Sequence, residues 1–102
     1  MADSKRPVSF EIEAVGKGNL ARAGIIHTPH GDIHTPAFVV VGTKASVKSL
    51  MPEDLTQYVG NEVTLANTYH LFLQPGHEVI KAGGGLNEFA KCKMPTWVLL
   101  VK

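Results

Sequence analysis

An unbroken apolar run at residues 37–41, between Pro36 and Gly42, limits the folds open to this chain. A strand with one side in water alternates apolar and polar residues, whereas an uninterrupted run is typical of a parallel strand covered on both faces. Two more short runs rich in β-forming residues follow, at 62–66 and 97–101. The runs therefore predict buried parallel strands joined by right-handed crossovers.

The segments between these runs have helical signals. Pro52 suits a first helical turn, the carboxylates of Glu53 and Asp54 follow it, and Gly60 is a typical helix stop. A second short helix is predicted between Pro75 and Gly83. The order strand, helix, strand, helix, strand indicates an α/β arrangement.

The first third of the chain has a different pattern. Residues 8–14 alternate apolar and polar side chains, which predicts a strand with one buried face. Turn residues at 16–19 follow this strand, and a Pro-His-Gly-Asp sequence at 29–32 separates the two extended runs that come next. We expect an antiparallel sheet in residues 1–35 and the start of an α/β unit in residues 36–102.

Length and composition limit what such a chain builds alone. Its 102 residues, 44% of them hydrophobic, allow one domain at most and less than a complete catalytic unit. A short chain buries a small fraction of its surface, so strands that need cover on both faces will expose apolar side chains. We therefore expect an incomplete fold.

Charge and cysteine content exclude several classes of protein. Ten basic and nine acidic residues are scattered along the chain, so charge gives no independent case for nucleic-acid binding. Cys92 is the single cysteine and forms neither an internal disulfide nor a closed zinc site, which fits a reducing cytoplasm. Neither a signal peptide nor an apolar stretch of about 18 residues is present, so no membrane role is predicted.

Ligands of α/β folds gather at the carboxyl ends of parallel strands. Two such ends are predicted, one at residues 41–43 and a more polar one at residues 67–70. Asn67, Tyr69 and His70 could line a pocket for a flat polar ligand. Equally, these side chains could only satisfy local backbone groups, and spacing alone favours that second interpretation.

Two other groups of residues have compositions found in binding sites, but their spacing favours a structural interpretation. His27, His30 and His34 are interrupted by proline and glycine and most simply decorate a hairpin, with metal binding as the lesser alternative. Three glycines at 83–85 follow a predicted helix and match no phosphate-loop pattern, so they indicate a turn.

Residues 35–48 (TPAFVVVGTKASVK) and 65–76 (LANTYHLFLQPG) resemble the tRNA-guanine transglycosylases, also called queuine tRNA-ribosyltransferases. Supporting matches at 30–33, 51–55 and 84–89 extend the resemblance over roughly residues 20–96. It implies a (β/α)8 barrel of the TIM type, preceded by an antiparallel sheet, of which this chain would hold only the first β/α units.

The resemblance also implies a reaction and its partners. Family members exchange guanine at the wobble position of certain tRNAs for a 7-deazaguanine base, and one aspartate forms a covalent intermediate while a second transfers a proton. By position, Asn67 and His70 would line the substrate-nucleotide pocket, with Val41 and Leu65 as apolar walls. The family's zinc ligands belong to a later region, so no cofactor is expected in this chain, and a cytoplasmic homodimer is the expected form of a complete enzyme.

One departure from the family changes the expected activity. Leu99 stands about where the family has its proton-transfer aspartate, and leucine neither donates nor accepts a proton. We therefore expect an inactive, truncated fragment without catalytic residues of its own. Two alternatives remain: a non-catalytic module completed by a partner chain or by self-association, and a relative acting on another tRNA position or on DNA.

Overall fold

A computed structural model describes residues 6–99, which form two three-stranded sheets. The first sheet is antiparallel, in the order β1-β2-β3, and its strands are β1 (Ser9–Val15), β2 (Arg22–Thr28) and β3 (Gly31–Thr35). The second is parallel, in the order β4-β5-β6, and its strands are β4 (Val40–Val41), β5 (Thr64–Asn67) and β6 (Thr96–Leu99). The predicted sequence of an antiparallel sheet followed by parallel strands is confirmed.

Short helices connect the parallel strands. They are α1 (Pro52–Asp54), continued by a π-helical turn (Leu55–Val59), then α2 (Thr68–Leu73), α3 (His77–Ala82) and α4 (Leu86–Ala90). Pro52 occupies the first turn of α1, and Gly60 ends the π-helical turn with a left-handed φ of 68°, both as predicted. Helices α2 and α4 were not predicted, because each is too short to present a clear helical period.

Burial in the antiparallel sheet differs from the prediction. Alternation in β1 predicted one buried face, but Phe10 and Ile12 are about half exposed, because no described element packs over them. The Phe10 ring lies instead across Gly24 of β2, where any Cβ would collide with it. Arg22 sits 5.6 Å from the centre of the same ring, a cation–π distance. Only Ile33 of β3 is almost fully buried in this sheet.

Helices cover only one face of the parallel sheet. On that face Val40, Thr64 and Ala66 are buried, and two apolar clusters pack against them from the helices and loops. The first cluster is centred on Leu55 and Met94. Among residues 6–99 no helix is both long and apolar enough to cross a membrane.

Apolar side chains are exposed on two strands of the parallel sheet, as expected for strands that need cover on both faces in a chain this short. The run 37–41 forms a strand only at Val40 and Val41, and Val41 is 55% exposed. The run 97–101 forms β6 as far as Leu99, and its described side chains are also about half exposed. Residues 100 and 101 lie outside the described part. At Val41, Trp97 and Leu99 the cause is that the described helices pack on the opposite face. Val98 shares the helix side with Ala66, but it lies on an edge strand of the described sheet.

Candidate functional site

Five side chains share the uncovered face of the parallel sheet. Pairing register aligns Val41, Leu65 and Trp97 in one row and Asn67 with Leu99 in the next. Paired residues of a parallel sheet point to the same side, and residues two apart on a strand do so as well. We call these five residues the open face. Exposing a large area of apolar side chains to water is unfavourable in free energy, so the open face is a candidate contact surface.

Asn67 ends β5 and begins α2 in a single step. Its backbone is extended, with φ −118° and ψ 125°, and its side-chain oxygen accepts a hydrogen bond of 2.9 Å from the Tyr69 N–H. This is an N-cap, which satisfies one of the free amides of the first helical turn. The side-chain NH₂ group has no partner among the described residues and remains available as a donor.

His70 lies one turn further, on the exposed surface of α2. Its ring contacts the Tyr69 ring edge-on, with centroids 5.7 Å apart and an angle of 62° between the planes. In the part of the chain described here the imidazole has no hydrogen-bond partner, so both ring nitrogens are free to meet a ligand.

The four residues that the sequence singled out fall in one neighbourhood. Val41 and Leu65 are direct partners across β4 and β5, Asn67 follows Leu65 on the same face, and His70 stands on the first turn of the next helix. The predicted alternative, that Asn67 serves local backbone, also holds for its oxygen. Asn67 therefore has a structural role on one side of its amide and a free donor on the other.

Trp97 is the open-face residue that the sequence analysis did not assign to the site. It pairs with Leu65 and is 45% exposed. The signal for it was the buried-strand pattern at 97–101, but the side to which Trp97 points depends on strand register, which local sequence does not specify.

Neither of the two main cavities described includes the open face. A cavity of about 240 Å³ lies on the helix side, between Thr64 and Ala66 of the sheet and the segment that contains Cys92 and Met94. It is a packing gap beneath short helices. The predicted site is thus an open wall of a sheet and not an enclosed pocket.

Histidines of the antiparallel sheet are held by carboxylates. The ring nitrogens of His27 lie 3.0 Å from a Glu11 oxygen and 2.9 Å from an Asp32 oxygen. A neutral ring has one N–H and can donate to only one of these carboxylates, whereas the protonated ring donates to both at once. The hydrogen bond to Glu11, and then that to Asp32, therefore raises the pKa of His27 above 6.5.

His34 of β3 is hydrogen-bonded to the carboxylate of Glu62, which lies just before β5. Its backbone N–H donates to Glu62 at 2.6 Å, and its ring Nδ1 lies 3.1 Å from both Glu62 oxygens. The backbone hydrogen bond from His34 lowers the pKa of Glu62 below its ordinary value of 4.5.

No metal centre is formed by these groups. Within residues 6–99 no cluster of three or more His, Cys, Asp or Glu is placed to hold a metal ion. The Cys92 thiol contacts the Thr64 hydroxyl at 3.8 Å and the Met94 carbonyl at 3.7 Å, neither of which is a zinc ligand in proteins. The described residues therefore do not fit the zinc ion that the resemblance implies for the family.

A family model described as "Queuine tRNA-ribosyltransferase" matches residues 17–100, which is most of the chain. The chain belongs to the queuine tRNA-ribosyltransferase family. The suspected resemblance is confirmed over its amino-terminal part.

Individual members of the family match closely. A queuine tRNA-ribosyltransferase of Solibacter usitatus is 52% identical over 82 residues, which are 80% of this chain and 22% of that protein. Relatives from Halalkalibacterium halodurans (49% over 88 residues, 86% of this chain and 23% of theirs) and Staphylococcus aureus (51% over 82 residues, 80% and 21%) are similar to the same extent. The chain spans about a fifth of the length of the curated relatives it matches.

Proposed function

We propose that this chain supplies one wall of the base-exchange pocket of a tRNA-guanine transglycosylase, which replaces the wobble guanine of tRNA with a 7-deazaguanine base. The observation that carries the proposal is the family match over residues 17–100, whose parallel strands end in Asn67 and the exposed His70. Queuosine biosynthesis, a tRNA substrate and a cytoplasmic location follow from that membership as part of the proposal.

The site residues position a substrate and do not break bonds. Asn67 offers an NH₂ donor at the carboxyl end of β5, and His70 offers its imidazole on the adjoining turn; neither group has a hydrogen-bond partner among residues 6–99. Val41, which is 55% exposed, and the partly buried Leu65 give an apolar wall against which the flat side of a nucleotide can lie. Holding a nucleotide in a fixed orientation lowers the entropic part of the activation barrier.

The architecture fits the first units of a barrel. Helices cover one face of β4-β5-β6, and in a (β/α)8 barrel the other face is the barrel interior. We assign residues 36–102 to such units and residues 1–35 to the antiparallel sheet that precedes them. A homodimer remains the proposed state of a complete enzyme.

This chain by itself does not catalyse the exchange. On the open face the residue opposite Asn67 is Leu99, at the end of β6 where the family's proton-transfer aspartate is expected. None of the five open-face side chains is ionisable, so none of them performs the proton transfer that is typically worth about 100- to 10,000-fold.

A second function is favoured by one specific observation, the exposed apolar surface of the open face. Val41, Trp97 and Leu99 are 55%, 45% and 51% exposed. Such a face suits a non-catalytic module that is completed by another chain or by a second copy. Light scattering over a concentration series tests this: a stoichiometric complex supports the module, and a monomer throughout contradicts self-association.

A chimera tests the primary proposal. Residues 17–96 replace the matching segment of the Staphylococcus aureus relative, and incorporation of labelled guanine into tRNA is measured. We expect activity, and we expect His70→Ala to reduce kcat/KM by about tenfold or more through lost orientation. His30→Ala, an exposed histidine of the hairpin, is the matched control. An inactive but folded chimera, or equal effects of the two substitutions, would contradict the proposed pocket.

A further inference from the structure

The second cavity lies where the end of β3 meets the segment that leads into β5. It measures about 340 Å³, and we call it the joint cavity. Four residues between His34 and Phe38 line one side, and residues 59–62 line the other. No residue of the proposed exchange site belongs to it.

Hydrogen-bond donors in the second wall are already used. The backbone N–H groups of Gly60 and Asn61 both donate to the Leu55 carbonyl. The Asn61 side-chain NH₂ donates to the Thr64 hydroxyl at 3.3 Å and contacts the Met94 sulfur at 3.1 Å. The wall therefore has little left to donate to a ligand.

Acceptors in the same wall remain unfilled. Asn61 is 8% exposed, and its side-chain oxygen has no hydrogen-bond partner among the described groups. Most buried polar atoms are paired, so such an oxygen calls for an explanation. Next to it the Glu62 carboxylate accepts from His34, and its two oxygens together have capacity for further donors.

The charge and shape of the joint cavity limit the chemical class of ligand that it can bind. Of the described residues that line the joint cavity none is lysine or arginine, so Glu62 gives the wall a negative charge. Phe38, which is 79% exposed, and Pro36 add flat apolar surface. A planar cation with several N–H donors matches both features, because it can face a carboxylate with two donors while its plane lies on an aromatic ring.

We propose that the joint cavity binds a guanidinium group. Glu62 accepts two of its N–H groups, and the Phe38 ring packs against its plane. The guanidinium belongs to an arginine, either free or within a polypeptide. Its binding would fasten β3 to the segment before β5, since the two sides of the cavity come from these two parts of the chain.

The test uses the full 102-residue chain and amide NMR titrations. The probe is Nα-acetyl-L-arginine amide, compared with its neutral isostere Nα-acetyl-L-citrulline amide and with Nα-acetyl-L-lysine amide. We expect saturable shifts at His34 and residues 60–62 with the arginine probe, and at least about fivefold weaker binding of the other two. Free L-arginine is a separate arm: equal affinity indicates recognition of the guanidinium alone, and weaker binding indicates an arginine within a polypeptide.

Variants locate the site. Phe38→Ala should weaken arginine binding by about threefold or more through loss of ring contact, whereas Phe72→Ala, another exposed phenylalanine outside the cavity, should leave it unchanged. Glu62→Gln should weaken it by about fivefold or more. Equal binding of the arginine and citrulline probes, shifts outside the cavity, or equal effects of the two phenylalanine substitutions would each overturn the proposal. Because Phe38 is exposed, its variant remains informative even if Glu62→Gln fails to fold.

Discussion

Asn67 joins a structural role to a proposed binding role, and two substitutions separate them. Asn67→Ala removes both the N-cap oxygen and the NH₂ donor, whereas Asn67→Asp keeps a cap-competent oxygen and replaces the NH₂ donor with a carboxylate oxygen that only accepts. Loss of an N-cap costs about 0.5–2 kcal/mol. The Tyr69 N–H that would lose its partner belongs to an exposed residue and can bind water, which places the cost of Asn67→Ala near about 1 kcal/mol.

Urea unfolding of the chain measures the loss of the helix cap. The guanine-incorporation assay of the 17–96 chimera measures the loss of the donor. Asn67→Ala should lower the free energy of unfolding by about 1 kcal/mol and Asn67→Asp by less than half of that. In the chimera both should lower kcat/KM by about tenfold through loss of one donor to the substrate. Asn19→Ala is the matched control, because the Asn19 oxygen accepts from the Ala21 N–H at 2.9 Å in an exposed turn. If Asn67→Asp keeps full activity, Asn67 is only a helix cap and the positioning role is refuted.

Three further predictions concern stability. His27 has a raised pKa in the folded chain, so the stability that it contributes is fully present below about pH 6.5 and is lost as pH rises through the folded pKa. Thermal melts between pH 5.5 and 9 should show this fall in melting temperature. His27→Gln should reduce the fall, and His30→Gln should leave it unchanged. Glu62 has a lowered pKa, so the stability that it contributes is present above about pH 4.5 and is lost as pH falls through the folded pKa. Glu62→Gln should remove this loss of stability from thermal melts between pH 3 and 5. Gly60→Ala should cost about 1 kcal/mol in urea unfolding, because Gly60 has φ 68° with open space around its Cα, so only backbone strain is added; a cost near zero would refute this explanation of the helix stop.

Much of the fold could be predicted because local signals were strong. The alternation at 8–14 and the turn residues at 29–32 were enough for the hairpins, and Pro52 and Gly60 marked the ends of a helical segment. Each of these signals acts within a few residues of itself, so no knowledge of tertiary contacts was needed.

Exposure of apolar side chains was expected from the chain's length, but the faces that stay exposed could not be predicted in the same way. Apolar runs at 37–41 and 97–101 read as strands covered on both faces, yet Val41 and Leu99 are about half exposed. A run specifies that a strand is apolar on two sides, and only the presence of packing partners decides which sides are covered. Helix α2 was missed for a related reason, because six residues hold fewer than two turns of periodic pattern.

The residues of the candidate site were proposed from the sequence, whereas their arrangement comes from the structure. The resemblance named Asn67, His70, Leu65 and Val41 from motif position. Strand register then placed Val41 beside Leu65, and it added Trp97 to the same row. Register between strands about 24 and 32 residues apart depends on long-range packing, so a local pattern gave no means of finding Trp97.

The most direct test of the central claim is a single residue exchanged at position 99. Residues 17–99 are placed in the Staphylococcus aureus relative, and guanine incorporation into tRNA is compared for Leu99, Leu99→Asp and Leu99→Asn. We predict background incorporation with leucine, recovery by at least about 100-fold with aspartate, and no recovery with asparagine, which has similar size but cannot take a proton. Full incorporation with leucine at position 99, or equal recovery with asparagine and aspartate, would contradict the claim that this chain carries a transglycosylase pocket wall without its proton-transfer group.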